Sequence, residues 1–307
     1  MTSPDASEVR GVGAGSRLNA VPPELLILAG TLSVQCGGGL ATSLIREYGP
    51  LPVVAMRIGF GAALLVAFQR IRVREISRAA LLNCLALGLI LAAMNSLFYV
   101  GLSRIPLGVA VTIEFWGPLT VAVLGSRRLL DVAWVAMAAV GIYILAGGRL
   151  EADDLVGVAA VFGAGFCWAL YIGVGGRVAR DWPDGRGLTV AMLVASALIV
   201  PATLALSDPR PLLVAPAALA GCLVVALFSS AIPYTAEIAA LRRLPAATFG
   251  VLMSLEPAIA ATVGFVLLGQ ALAAHELVAI ALVAFASAGA SVSARRLITA
   301  PGELESA

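Results

Sequence analysis

Two carboxylates and one guanidinium stand in this sequence where charge is expensive. Glu114, Glu256 and Arg57 each interrupt a long, otherwise uncharged apolar run, at 105–126, 244–268 and 50–69 respectively. An ionisable group deep in such a run costs about 2.5–3.5 kcal/mol on membrane-insertion scales, so it is kept for a pathway, a pairing or a packing purpose. Uncharged polar groups accompany these three. Gln35 lies in the run 25–45, and Asn95 and Tyr99 are four residues apart, on one face of a helix. Trp116 neighbours Glu114, Trp168 and Tyr171 are three residues apart, and Tyr234 follows Pro233.

Such a set can capture a zwitterion. A solute carrying both charges needs a counter-charge for its ammonium and another for its carboxylate when it leaves water. Glu114 and Arg57 are the only opposite pair at depth in the first half. On this reading Glu114 holds the ammonium and Arg57 the carboxylate. Asn95, Tyr99 and Gln35 orient the solute, Trp168 or Tyr171 packs on it, and Trp116, Glu256 and Tyr234 complete an amphiphilic cavity. A carboxyl group in a low-dielectric span can also take up and release a proton. Glu114 and Glu256 are therefore the candidates for proton coupling, and the sequence does not choose between them. The simpler reading ties two helices together through an Arg57–Glu114 pair, which would cost about 3–5 kcal/mol to break if buried. It leaves the aromatic residues to helix packing or an interfacial belt. Direct pairing of Arg57 with Glu114 is expected either way.

The elements that position these residues are membrane helices. Of the 307 residues, 60% are hydrophobic and 12% charged, with a mean hydropathy of +0.99, far more apolar than water can solvate in one domain. Seven runs without charge, 25–45, 79–103, 132–148, 155–176, 187–207, 211–236 and 277–294, join the three above to make ten, each near the length of about 20 residues that crosses a bilayer. Pro211, Pro216 and Pro233 predict a break in the run 211–236. Ten spans put both termini on one side. Fifteen arginines fall on that side against four on the other (Arg46, Arg104, Arg149, Arg210), so the termini are expected in the cytoplasm. Glu237, near the cytoplasmic end of its span, serves either as an interface anchor or in the site.

The halves repeat. A shift of 139 residues superposes Arg104 on Arg243, Pro106 on Pro245, Pro118 on Pro257 and Gly125 on Gly264, and a shift of 126 superposes Gly37 on Gly163 and Gly39 on Gly165. Five spans per half is an odd number, so the halves run oppositely through the membrane. The expected fold is an all-α membrane protein of ten transmembrane helices arranged as two inverted five-helix repeats, a design that supports alternating access around a midplane site. The expected organisation is a cytoplasmic tail at 1–24, repeats at 25–148 and 155–294, and a second cytoplasmic tail at 295–307.

Catalysis has no visible equipment here. There is no GxSxG, HExxH or Walker A motif, and His275 has no second histidine to join. Cys36, Cys84, Cys167 and Cys222 lie singly in apolar runs, so neither a metal site nor a cofactor is expected. The expected partners are a small zwitterionic or amine solute, protons and the lipid bilayer, with no nucleic acid, in a monomer or weak homodimer. A carrier of another small metabolite or drug-like amine is the main alternative. A membrane enzyme or a channel fits less well, since loops of about a dozen residues at most leave an enzyme little room.

The segments SVQCGGGLATSL (33–44), MRIGFGAALL (56–65), MNSLFYVGLSRIPLGVAVTIEFWGPLTVAVLGSRR (94–128), GAGFCWALYI (163–172) and SSAIPYTAEIAALRRLPAATFGVLMSLEPAIAA (229–261) resemble the drug/metabolite transporter superfamily with its paired EamA-type modules. Within it they are similar to the bacterial threonine and homoserine exporters, over roughly residues 25–295. The resemblance implies export of small amino acids or related metabolites through the inner membrane, driven by the proton gradient. Two positions depart from that pattern: Thr42 replaces a basic residue after the first-span glycines, and Gln270 replaces an acid after the ninth-span glycine.

Overall fold

The computed structural model describes residues 21–68, 77–124, 129–147, 152–182, 185–241, 243 and 252–298, and these contain helices and no strand. Most of the 1–24 tail, the start of the ninth run at 244–251, residues 148–151 between the halves, residues 299–307 and the side chain of Glu237 lie outside the described set.

The first half contains α1 (Pro23–Tyr48), α2 (Pro50–Phe68), α3 (Arg78–Leu102), α4 (Leu107–Glu114), α5 (Trp116–Leu124) and α6 (Leu129–Gly147). The second contains α7 (Ala152–Asp181), α8 (Arg186–Leu206), α9 (Arg210–Leu213), α10 (Pro216–Ala226), a π-helical segment (Leu227–Ala231), α11 (Ile232–Leu241), α12 (Glu256–Leu268) and α13 (Ala274–Ile298). Six helical stretches, α1, α2, α3, α7, α8 and the continuous Pro216–Tyr234, are long and apolar enough to cross a membrane, and four shorter apolar stretches fall at Leu107–Val121, Ala133–Ile144, Glu256–Leu268 and Ala274–Gly289. Large apolar side chains such as Phe68, Leu89, Leu204, Phe265 and Phe285 point outward and exposed. Such a surface suits hydrocarbon, where a closed helix is the form that satisfies its own backbone.

Local chemistry sets the boundaries. Gly49, at φ +82°, donates its N–H to the Ile45 carbonyl at 2.8 Å and reverses the chain into Pro50. Ser77 accepts the Ala80 N–H at 3.1 Å and opens α3. Pro216 sits in the first turn of α10, where a missing N–H has no consequence. The run 211–236 is divided as its prolines predict, and the run 105–126 is also divided, at Phe115.

Helix pairing interleaves the two halves. The α1 helix packs on α10, the π-helical segment, α11 and α12; α2 packs on α8 and α10; α3 on α7 and α8; α4 on α7 and α12; α5 on α7; and α6 on α13. Glycines permit the closest crossings: a Cβ at Gly108 of α4 would lie 2.8 Å from the Ala261 Cα of α12, so these backbones touch.

Candidate functional site

The π-helical turn after α10 builds the candidate site. In the π-helical segment the Ile232 N–H bonds to the Leu227 carbonyl, five residues back, so the Phe228 carbonyl loses its usual donor. Pro233 has no N–H, so the Ser229 carbonyl four residues earlier loses its donor too. Both are repaired from the first half. Ser33 Oγ of α1 donates to the Phe228 carbonyl at 2.7 Å, and Arg57 Nη2 of α2 donates to the Ser229 carbonyl at 2.8 Å. Arg57 Nε donates to Ser230 Oγ at 3.4 Å, and the guanidinium carbon lies 5.4 Å from the centre of the Tyr99 ring. Arg57 is 6% exposed and Tyr99 1%, so this is interior. Gly61, one turn after Arg57, allows the approach, since a Cβ there would meet Ser230 Cβ at 3.1 Å.

The break between α4 and α5 places Glu114. Pro118 cannot donate to the Glu114 carbonyl, and the helix turns at Phe115. Gly165 of α7 fits against that carbonyl, where a Cβ would come within 2.6 Å of it. The Glu114 side chain is 8% exposed and makes no hydrogen bond among the described residues. It feels the charge of Arg57, yet the expected direct Arg57–Glu114 pair is not formed. The guanidinium is instead held by a backbone carbonyl that a proline left open. A comparable turn at Ser254 and Leu255 precedes Glu256 and Pro257, and Phe115 and Ser254 are separated by the same 139 residues that superpose the two prolines.

The other candidate residues divide among different settings. Gln35 Nε2 donates to Glu256 Oε1 at 2.9 Å, joining α1 to the start of α12. Asn95 turns back on its own helix and donates to the Leu91 carbonyl at 2.8 Å. Trp116 donates to the Phe162 carbonyl at 2.9 Å and stacks on the Phe162 ring with centroids 4.4 Å apart. Trp168 meets Phe115 edge-on at 5.4 Å. Tyr171 is half-buried at the edge of the main core, and Tyr234 is half-buried and within electrostatic reach of Arg57. Ser33, Ser229 and Ser230 were not foreseen. Their signal was Pro233, which frees a carbonyl at Ser229 wherever the segment is helical.

Gln270 has a definite task. Its Oε1 accepts the Leu107 N–H at 3.1 Å, closing the first turn of α4 from the end of α12. Replacing Gln270 with alanine should lower the stability of the purified protein by about 1 kcal/mol, the usual value of a lost helix cap. Glutamate, which keeps the acceptor, should not. A melting curve in detergent checks both, and an unchanged alanine variant would refute the capping role.

The family model of the EamA-like transporter family matches residues 155–292. The threonine/homoserine exporter RhtA of Salmonella typhimurium (strain LT2) is 38% identical over 288 residues, 92% of this chain and 96% of that relative. RhtA of Escherichia coli (strain K12) is 38% identical over 279 residues, covering 89% and 92%. The uncharacterized transporter YyaM of Bacillus subtilis (strain 168) is 22% identical over 258 residues, covering 78% and 84%. A solved protein crystal structure, 20% identical, shares the fold with a TM-score of 0.61 over 89% of this chain and 98% of the other.

Proposed function

Since this chain belongs to the EamA-like transporter family and is a multi-pass membrane transporter rather than an enzyme, we propose that it exports small amino acids of the threonine/homoserine type, or related metabolites, across the inner membrane. The observation that carries the proposal is one buried cation and one buried carboxylate that feel each other's charge without bonding. A zwitterion supplies what each lacks, its carboxylate for Arg57 and its ammonium for Glu114. The named substrates of the RhtA relatives are molecules of that form.

The proposed architecture is ten spans in two inverted repeats, 25–148 and 155–294, with both terminal segments cytoplasmic. If α4–α5 and α10–α11 each count as one span, span 1 packs on spans 8 and 9, span 3 on 6 and 7, span 4 on 6 and 9, span 2 on 7 and 8, and span 5 on 10. Exchanging the two halves returns these pairings unchanged, whereas span 10 also packs on span 4 without a counterpart among the described residues; the matched pairings support a two-fold axis in the membrane plane. Solute moves by alternating access about that axis, and Glu114 exchanges a proton as the solute leaves.

The test is efflux of labelled threonine, homoserine and other amino acids from vesicles bearing the purified protein, with and without a pH gradient. Threonine or homoserine efflux that depends on the protein and quickens with the gradient is the expected result. Efflux of none of them rules out the amino-acid reading.

A further inference from the structure

The polar groups around Arg57 are unbalanced in kind. A guanidinium has five N–H donors. Here Nε and Nη2 each have one acceptor, and Nη1 has none among the described residues. The buried Tyr99 hydroxyl interacts with the guanidinium and has no other partner among the described residues. Ser230 Oγ accepts from Nε and donates to nothing among the described residues. Donors therefore outnumber acceptors at one buried point, and buried polar groups in native proteins are rarely left so. Glu114 contributes charge here but does not reach these donors. An anion with two oxygens would balance the set.

We propose that Arg57 Nη1, Tyr99 Oη and Ser230 Oγ together form a receptor for the carboxylate of the transported solute. Ser230 is the residue that sets preference for an acid over its amide. The exporter reading supplies the identity of the solute; its carboxylate chemistry stands on the donor set. The π-helical segment divides the labour between its two serines. Ser229 gives Arg57 its backbone carbonyl and lays its hydroxyl against Gly37 of α1, whereas Ser230 presents its hydroxyl to Nε. The anchored edge of the guanidinium stays on the protein, and the Nη1 side remains for the ligand. A bidentate carboxylate is the shape a guanidinium takes best.

The purified full-length protein is titrated with L-threonine, its carboxamide L-threoninamide, 3-hydroxybutyrate and inorganic phosphate, with binding read by calorimetry and thermal shift. Threonine and 3-hydroxybutyrate should bind, and threoninamide should bind at least about tenfold more weakly, the usual scale for a hydrogen bond to a charged group. Ser230→Ala and Tyr99→Phe should each weaken the two acids roughly tenfold and bring the acid-to-amide ratio toward one. Their melting curves without ligand should stay near wild type. Equal binding of acid and amide by the wild type overturns the receptor, and that ratio needs neither variant to fold. A preference that survives both substitutions, or phosphate binding as tight as the carboxylates, overturns it as well. If the acids bind in this pattern while vesicles export no amino acid, the receptor stands and the export reading falls.

Discussion

Arg57→Leu is expected to reduce transport by roughly thirtyfold to several thousandfold, since losing a buried counter-charge removes about 2–5 kcal/mol of binding to its partner. The protein should still fold. Leucine leaves the Ser229 carbonyl without a donor, a penalty of about 1–3 kcal/mol, but it also removes the need to bury a charge. Adding Pro233→Ala to Arg57→Leu separates the two effects. Alanine returns the N–H that Ser229 lacks, so the melting temperature should recover while transport does not. Arg57→Lys keeps the charge but cannot serve the Ser229 carbonyl and a bidentate carboxylate together, so it should fall between leucine and wild type. Near-normal transport by Arg57→Leu would falsify the counter-charge role, and a double variant that melts no higher than the single one removes the carbonyl-capping account.

Glu114→Gln is expected to leave the fold intact and flatten the pH dependence of export. Its carboxylate makes no hydrogen bond among the described residues, so an amide of equal size disturbs little. What disappears is a group that changes charge, and with it any link between solute exit and proton entry. Glu256→Gln is the control. Glutamine can still accept from Gln35, so that variant should keep its pH response. The measurement is efflux from vesicles over a range of imposed proton gradients. A flat profile in Glu256→Gln together with a normal one in Glu114→Gln would move the proton to α12.

Depth was legible in the sequence because a bilayer makes it so. An acid or arginine in the middle of an apolar run has nowhere polar to go except inward, and Glu114, Glu256 and Arg57 are buried as that argument requires. The breaks were legible where proline announced them. Partners were harder. Coulomb's law suggested a carboxylate for Arg57, but the nearer acceptor is a carbonyl that Pro233 had stripped of its donor, and sequence reading seldom counts backbone groups as ligands. Asn95 and Tyr99 share a helix face, yet the short amide reaches back to Leu91 while the longer phenol reaches Arg57. Side-chain length, which periodicity ignores, separated them. The Gln35–Glu256 contact joins residues 221 apart, beyond any local pattern.

Such separations bear on how the chain is made. Ser33 waits 195 residues for the Phe228 carbonyl, Arg57 waits 172 for Ser229, and Gln35 waits 221 for Glu256. At ribosomal speed that is roughly 10–40 seconds. Throughout it, α1 and α2 carry an amide and a guanidinium whose partners have yet to be made. The Phe228 and Ser229 carbonyls, once they emerge, are equally short of donors. Each half thus carries the complement to the other's exposed polarity. The nascent first half is an unfinished surface until the segments from α10 to α12 arrive.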